Sequence, residues 1–374
     1  MRDEVTDRPR YRADTVGSLL RPEAVQAART QFGAGSIDAA ALRRIEDAAI
    51  RDVVRLQEEI GLDVVTDGEF RRDSWYIDFV RKLQGVTIAD GTSRSFVPRN
   101  EQPKHVPKQV RTIGKILAGA PILLDDYVHL ASVATQAAKI TMPSPTRLHF
   151  HGGRRAVSEE AYPDIEEFFA DVAAVYQQEI AALEDAGCRY IQIDDPLLSY
   201  FLSPQLRQEV MQDGDDPDRR LVRYIRWIND CISRRRVGTA VAIHICRGNA
   251  RSSWIAEGAY DGIAEACFGG LAVDRFLLEF DDERSGSFEP LRLIPRDKQV
   301  VLGLVSTKHP HLEGKDVIKR RLDEATLLVD HDRLAISPQC GFASVVEGNL
   351  ITPADQMAKL RLVVEIAREF WGGN

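Results

Sequence analysis

Amphipathic helical segments alternate with short β-branched runs along most of the chain, and this alternation limits the possible folds more than any other feature. One predicted helix begins after its N-cap, Ser36, and ends at Gly61, with apolar residues at helical spacing between them. The strand-like run 63–66 follows directly. The same order recurs where a predicted helix over 164–187 precedes the run 189–193. Repeated units of this kind predict a parallel sheet wrapped by helices.

The number of predicted strands bears on whether that sheet closes on itself. The strand-like runs are 13–16, 63–66, 139–142, 189–193, 240–245, 275–280, 299–304 and 333–336. Eight strands separated by helices favour an α/β fold of the (β/α)8 TIM barrel type over an open doubly wound sheet. Such barrels often reach the length of this chain, 374 residues, as one unit, so a single domain over 1–374 is predicted.

One stretch interrupts the alternation. Residues 86–113 are polar and basic and contain Pro98, Pro103 and Pro107. A long polar insertion within a compact domain is more often a functional loop than a linker. The sequence therefore predicts an inserted hairpin or lid around residues 86–113.

Composition excludes several classes of function. A formal net charge of -8 argues against binding along a nucleic-acid backbone. No run reaches the roughly 18 apolar residues of a membrane helix, and the start, MRDEVTDRPRYR, lacks the apolar core of a signal peptide. A cytoplasmic protein that binds neither nucleic acid nor membrane is expected. The 5 cysteines, an odd number, do not suggest a disulfide framework and leave thiols available to a metal.

A polar pair, His244 and Cys246, closes the apolar run 240–245. Residues two apart on a strand face the same side, so both side chains would project into the C-terminal mouth of a barrel, where catalytic groups gather. A buried cysteine is often inert packing, and a buried histidine is often only hydrogen-bonded. The pair by itself is therefore weak evidence for a metal site.

Two further strand ends strengthen the metal interpretation. Glu279 follows three apolar residues of one predicted strand, and Cys340 lies just past another. Burying Glu279 without a partner would be unfavourable, so it needs a cation or strong hydrogen bonds. One imidazole, two thiolates and one carboxylate form a ligand set that suits Zn²⁺. The sequence predicts a zinc site built from three strand ends.

Polar residues at other strand ends are candidates for binding substrate. Val16 and Ser18 end the first predicted strand, Glu69 follows the second, and Asp194 ends the strand over 189–193. Carboxylates gathered in this way could bind an ammonium group or act as acid and base. Helix caps and loop salt bridges are the alternative. Trp75 could stack on a flat ligand, although core packing explains such a residue equally well.

At these residues the chain resembles cobalamin-independent methionine synthase, specifically its C-terminal catalytic barrel and the short single-barrel homologues of it. The resemblance runs from about residue 13 to the end, and its ordered markers are Val16-Gly17-Ser18, Asp67-Gly68-Glu69, Gln192-Ile193-Asp194, His244-Ile245-Cys246, Glu279 and Gln339-Cys340-Gly341. Six ordered matches are far more specific than any one of them. One position departs, because Asp195 stands where the family usually has Glu.

The resemblance implies a (β/α)8 barrel and methyl transfer from 5-methyltetrahydrofolate to the zinc-activated thiol of homocysteine, giving methionine. It implies zinc ligation by His244, Cys246, Glu279 and Cys340. It also implies that Ser18, Glu69 and Asp194 bind homocysteine, the two carboxylates holding its ammonium group.

A second departure concerns the proton donor. In the long synthases of the family, a histidine after the seventh strand helps to protonate the departing folate. Here Lys308 takes that position and His309 follows it, so either is the predicted general acid. The long synthases also carry an N-terminal second barrel that helps to bind polyglutamyl folate, and no such barrel is expected in this chain. Basic residues of the insertion would suit an anionic tail of the donor instead: Arg94, Arg99, Lys104 and Lys108.

These departures leave alternatives open. One is a zinc-dependent alkyltransferase with another thiol or donor, such as methylcobalamin, or an epoxide, as in the related epoxyalkane:coenzyme M transferases. Another is a non-catalytic barrel stabilised by zinc. A metal-free decarboxylase would leave His244, Cys246 and Cys340 unexplained. The thiol acceptor, the donor and the oligomeric state are not determined by the sequence, and an oligomer is compatible with it.

Overall fold

The computed structural model describes residues 11–91, 106–117 and 119–372, which form an α/β fold. The strands are β1 Val64–Val65, β2 Val86–Ala89, β3 Gln109–Thr112, β4 Ala137–Ala138, β5 Ile140–Pro143, β6 Tyr190–Asp194, β7 Ala240–Ile245, β8 Arg275–Glu279, β9 Gln299–Val305 and β10 Leu334–Pro338. The helices are α1 Glu23–Gly33, α2 Ala39–Ile60, α3 Ile77–Arg81, α4 Leu124–Val133, α5 Ile165–Asp185, α6 Leu197–Tyr200, α7 Pro204–Gln212, α8 Pro217–Ile232, α9 Asp261–Gly270, α10 Lys315–Thr326 and α11 Pro353–Trp371. Within the described ranges, no helix is both long enough and apolar enough to span a bilayer.

Local capping explains where the first long helix starts. The carboxylate of Asp38 accepts a hydrogen bond from the backbone N–H of Ala41, so Asp38 caps α2. The prediction of Ser36 as the cap was wrong, because the cap must lie directly before the first helical residue, Ala39. Gly61 ends the helix as predicted, in a left-handed conformation with φ of 95°.

Six parallel strands form the main sheet in the order β10-β9-β8-β7-β6-β5. Their register aligns Asp194 of β6 with His244 of β7, and Glu279 of β8 with Gly303 of β9. All the carboxyl ends therefore lie at one edge of the sheet, and polar residues at those ends are brought close together. A separate parallel pair joins β1 to β4.

The predicted first strand, 13–16, was wrong. Ala13 makes one parallel bridge to Ile336 of β10, and its carbonyl accepts a hydrogen bond from the N–H of Asp63. Asp14 N–H donates to the carbonyl of Ile336 at 3.0 Å, but the following donor, Thr15 N–H, binds the carboxylate of Asp14 at 2.7 Å instead of continuing a ladder. Among the described residues, strand pairing thus shows a six-stranded sheet and two separate strand pairs, β1-β4 and β2-β3, and it does not confirm a closed eight-stranded barrel.

The predicted insertion has paired strands at its base. β2 and β3 run antiparallel, with Val86 opposite Thr112 and Ala89 opposite Gln109. Residues 92–105, which include the predicted basic positions Arg94, Arg99 and Lys104, lie outside the described residues. A lid in this region stays a prediction.

The interior face of the sheet carries a buried ion pair. The ammonium of Lys139, which is fully buried, lies 2.7 Å from Asp14 Oδ1 and donates to Gln192 Oε1 at 2.8 Å. Tyr190 donates its hydroxyl to Asp14 Oδ2 at 2.7 Å. The buried ammonium and carboxylate are thus paired with each other and hydrogen-bonded to neutral groups. Buried charges are stable in a protein only when they have such partners.

Lys139→Met would leave the Asp14 carboxylate buried without its cation. We expect the free energy of unfolding, measured by urea denaturation, to fall by about 3–5 kcal/mol. Lys139→Met combined with Asp14→Asn removes both charges and should recover part of that loss, since the amide oxygen introduced at position 14 can still accept from Tyr190. A double variant that loses the sum of the two single losses would contradict the ion pair.

Candidate functional site

Three potential metal ligands meet at the carboxyl edge of the sheet. His244 lies near the end of β7, Cys246 follows that strand, and Cys340 follows β10. Their ligand atoms all lie within 4.8 Å of one another, and all three residues are buried. The period-two geometry of β7 therefore places His244 and Cys246 on one side, as the sequence predicted.

A close approach of two loops brings Cys340 into this group. The N–H of Phe342 donates to the carbonyl of Ser18 at 2.8 Å. Gly341 precedes Phe342 and also lies against Ser18. A Cβ at position 341 would lie 2.0 Å from Ser18 Oγ and 3.3 Å from Ser18 N, so only glycine allows this contact. The loop after β10 is thereby held against the loop at residue 18.

The two thiols and the imidazole are electrostatically coupled. A hydrogen bond from Cys246, followed by the nearby His244, holds the pKa of Cys340 well below its ordinary value despite burial. The same hydrogen bond, together with burial, raises the pKa of Cys246. Burial opposes charging of His244, but Cys340, Asp194 and Glu279 outweigh it and raise the pKa of the imidazole. These interactions thus favour the thiolate form of Cys340 and the positively charged form of the neighbouring imidazole.

The ring nitrogens of His244 also indicate that this group of three residues binds a ligand. Both Nδ1 and Nε2 are buried, and neither has a hydrogen-bond partner among the residues that the structure describes. An unpaired buried polar atom is unfavourable by about 1–3 kcal/mol, so such an atom in a cluster of soft donors indicates a ligand. One nitrogen and two sulfurs form a donor set that suits Zn²⁺.

Glu279, the fourth predicted ligand, lies outside this group of three. Its Oε2 accepts from the N–H of Arg247 at 2.9 Å, and its Oε1 lies 3.7 Å from Lys308 Nζ and 3.5 Å from Arg284 Nη2. Burial opposes ionisation of Glu279, but Lys308, Arg247 and Arg284 outweigh it and lower the pKa of the carboxyl. Its negative charge is balanced by protein cations.

The predicted proton donors lie at the edge of the site. Lys308 is buried against Glu279, and neighbouring acidic groups raise its pKa although burial opposes this. The side chain of His309 is 29% exposed, with Nε2 4.0 Å from Glu313 Oε1. Neither residue lines the cavity beside the ligand group.

That cavity is lined by the three ligand residues and by all five residues that the sequence indicated for substrate binding. Those five are Val16, Ser18, Glu69, Trp75 and Asp194. Lining residues that sequence reasoning missed include Tyr200, Asn249 and Ser344. The structure thus brings the metal-ligand candidates and the substrate candidates to one place, apart from Glu279.

Glu69 is held in a strained backbone conformation, with φ of 59°. Thr141 donates its hydroxyl to Glu69 Oε1 at 2.8 Å, and the buried guanidinium of Arg21 donates to the Glu69 carbonyl at 3.0 Å. Glu69 Oε2 is buried without a hydrogen-bond partner among the described residues. The strain and the bare oxygen together indicate an acceptor prepared for a ligand N–H.

Asp194 is oriented through Gln192. The Gln192 amide accepts from Lys139 and donates through Nε2 to Asp194 Oδ1 at 2.7 Å, so the ammonium of Lys139 determines which way the amide faces. Burial first, and the nearby Glu69 carboxylate second, raise the pKa of Asp194 to about 7. Two carboxylates facing one cavity form a site for a cationic group such as an ammonium.

Asn249 is the clearest residue that sequence reasoning missed. Its Nδ2 donates to the carbonyl of Gly341 at 2.7 Å, which determines the orientation of the amide. Its Oδ1 is buried and has no hydrogen-bond partner in the described ranges. The only signal in the sequence was its place three residues after Cys246.

Comparisons with known proteins show the family to which the chain belongs. Residues 12–369 match the family described as the catalytic domain of cobalamin-independent synthase. The uncharacterized protein YxjH of Bacillus subtilis is 44% identical, covering 96% of this chain and 95% of its own length. A methionine synthase of Sulfolobus acidocaldarius is 26% identical over 97% of this chain and 94% of its own. The crystal structure of a putative vitamin-B12 independent methionine synthase from Listeria monocytogenes has a TM-score of 0.74 and 34% identity, covering 97% of this chain and 98% of that one.

The raised pKa of Asp194 predicts how the metal-free protein responds to pH. The folded protein keeps this proton up to a pH of about 7, whereas an unfolded chain loses it near a pH of ~4, so stability from this group falls as pH rises through that window. Asp194→Asn should therefore stabilise the protein more at pH 8 than at pH 5, by roughly 1–3 kcal/mol in urea denaturation with a chelator present. Asp323→Asn, at an exposed position, is the control. An equal gain at both pH values would contradict the assignment.

Proposed function

Because this chain belongs to the cobalamin-independent methionine synthase family, we propose that it transfers a methyl group from 5-methyltetrahydrofolate to the zinc-activated thiol of homocysteine, giving methionine. The observation that carries the proposal is one cavity in which the group His244, Cys246 and Cys340 lies beside the carboxylates of Glu69 and Asp194. A thiol-activating ion and an ammonium site side by side match the two ends of homocysteine.

His244, Cys246 and Cys340 would hold the zinc ion. The bare ring nitrogens of His244 and the thiolate character of Cys340 support this ligand set. Three protein ligands leave one position for substrate, as in catalytic zinc sites, and Glu279 is the proposed exchangeable fourth ligand. When bound, the ion lowers the pKa of a substrate thiol, which otherwise is near ~8.5, so that thiolate is present at neutral pH.

Glu69 and Asp194 would bind the ammonium group of the amino acid. Glu69 Oε2 lacks a hydrogen-bond partner among the described residues, and the pKa of Asp194 is raised partly because Glu69 lies near it. A cation between the two carboxylates removes that repulsion and favours both ionised forms. Ser18, on the loop that contacts Gly341, would help to position the same substrate.

The transfer also needs a proton at the donor. The S–CH₃ bond forms as the N–CH₃ bond breaks, and the electron pair stays on the folate nitrogen, which is a poor leaving group unless it is protonated. Lys308 would supply this proton directly or through water, with His309 as the alternative. The raised pKa of Lys308 keeps it charged until the nitrogen becomes basic enough to take the proton.

We also propose that the whole chain forms one closed (β/α)8 barrel with this site at its C-terminal mouth. Ala13 is hydrogen-bonded on one side towards β10 and on the other to Asp63, next to β1. A small interior cluster, distinct from the main core, draws residues from these segments in turn: Val16, Val64, Tyr190, Ala240, Ala242, Leu277, Val301 and Ala335. Inward side chains contributed by successive strands are typical of a closed barrel.

A second candidate keeps the zinc and the thiol but uses methylcobalamin as the methyl donor. The observation that favours it is that neither Lys308 nor His309 lines the cavity beside the metal ligands. A methyl group leaving a corrinoid cobalt needs no proton, whereas one leaving a folate nitrogen does.

Zinc content and methionine formation test the main proposal together. Purified protein should contain stoichiometric zinc and form methionine from homocysteine and 5-methyltetrahydrofolate. Cys340→Ala should lose both, because it removes the thiolate ligand. Cys267→Ala, at a buried cysteine outside the ligand group, should keep both. Zinc with methionine formed only from methylcobalamin would favour the second candidate, and absence of zinc would refute both.

Lys308→Met and His309→Ala test the proton donor. Loss of the general acid should lower turnover with the folate donor by about 100-fold or more. Zinc content should not change, because neither side chain belongs to the ligand group. Turnover that stays normal in both variants would rule out this role.

A further inference from the structure

A second cavity adjoins the one at the metal ligands. It measures about 250 Å³ and shares three lining residues, Trp75, Tyr200 and Asn249, with the first. Tyr76 adds a third aromatic ring to its wall. A molecule whose reactive group reaches the metal centre would therefore extend its body into this second cavity, where the rings offer a stacking surface.

Arg147 lines this second cavity as a buried cation that has no carboxylate partner within the described part of the chain. It lies in the 3₁₀ turn Pro145–Leu148 and is 2% exposed. Its guanidinium stacks 4.1 Å from the ring centre of Tyr76, and Nη2 donates to the backbone carbonyl of Lys108. Nη1 is buried and has no hydrogen-bond acceptor among the described residues.

An unpaired buried guanidinium is unfavourable, and it is retained most readily where a ligand completes its partners. The planar fork of arginine is suited to a carboxylate. Asp73 and Glu347 also line this cavity, and they would repel a doubly charged phosphate more strongly than a singly charged carboxylate.

Asn249 Oδ1 is a second buried polar atom without a hydrogen-bond partner among the described residues, and Asn249 lines both cavities. Asn249 Oδ1 faces away from the Gly341 carbonyl that holds the amide, and it offers an acceptor to a ligand N–H. An acceptor and two aromatic rings, those of Trp75 and Tyr200, thus line both cavities, and a third ring and the cation Arg147 line the second cavity alone.

We propose that Arg147 binds a carboxylate of the methyl donor, while Asn249 accepts a hydrogen bond from an N–H of the donor's ring. This inference rests on the proposed function, because it deepens the identity of the donor: a flat heterocycle that carries a carboxylate. Arg147 is then the residue that selects anionic donors over neutral ones.

Equilibrium binding without a thiol acceptor tests this inference apart from turnover. Calorimetry on the zinc-loaded protein would compare 5-methyltetrahydrofolate with its dimethyl ester, which keeps the ring system and loses both negative charges. The wild type should bind the free acid at least about tenfold more tightly. Arg147→Met should abolish this preference, and Arg147→Lys should keep part of it, since the charge remains but the fork is lost.

Two further variants serve as controls. Arg81→Met removes another guanidinium that lines the same cavity, but that one is largely exposed and already lies 3.5 Å from Asp73 and 3.6 Å from Asp78, so the preference should persist. Asn249→Leu should weaken binding of acid and ester equally, because the ring N–H is common to both. Should Arg147→Met fail to fold in a thermal melt, a reduced preference in Arg147→Lys carries the same information.

The outcomes that would contradict the inference separate the role of Arg147 from the folate assignment. Equal affinity of the wild type for acid and ester, equal weakening of both by Arg147→Met, or a lost preference in Arg81→Met would overturn the role of Arg147 and leave the folate donor intact. Failure of the wild type to bind either compound would overturn both this inference and the folate assignment, and would direct the search to a donor of other chemistry.

Discussion

The ammonium of Lys139 connects the interior of the sheet to the chemistry at its edge. It pairs with Asp14, in the segment that bridges β10, and it turns the Gln192 amide so that this amide donates to Asp194. A single buried charge therefore stabilises the contact between chain segments far apart in sequence and orients a carboxylate of the candidate site. Because no water reaches it, the arrangement holds only when every partner is present.

Charges at the carboxyl edge are divided between two neighbouring groups. Glu279 is balanced by Lys308, Arg284 and a backbone N–H, whereas in the His244 group the thiol of Cys246 stabilises the thiolate form of Cys340 by a hydrogen bond. A metal ion bound at the His244 group would displace protons from the thiols, and the candidate ligands already lie close together in the fold.

Local rules predicted the parts of the fold and the site that depend on neighbouring residues. Strand periodicity predicted the bounds of β7 and the common side of His244 and Cys246. Gly61 ends α2 because glycine readily adopts the left-handed backbone conformation found there. The segment over 13–16 failed as a strand because Asp14 takes a backbone N–H that a ladder needs. The partners of Glu279 and the bare atoms of Arg147 and Asn249 come from tertiary packing, which no local pattern encodes.

The contact between Gly341 and Ser18 has a consequence for how sequences of this kind can diverge. With 2.0 Å between a Cβ at position 341 and the Ser18 hydroxyl, a larger residue at either position requires the other loop to move away. One loop carries a metal-ligand candidate and the other a substrate-binding candidate. A substitution at one of these two positions therefore needs a compensating substitution at the other. Positions 18 and 341 should therefore covary as a pair among related sequences.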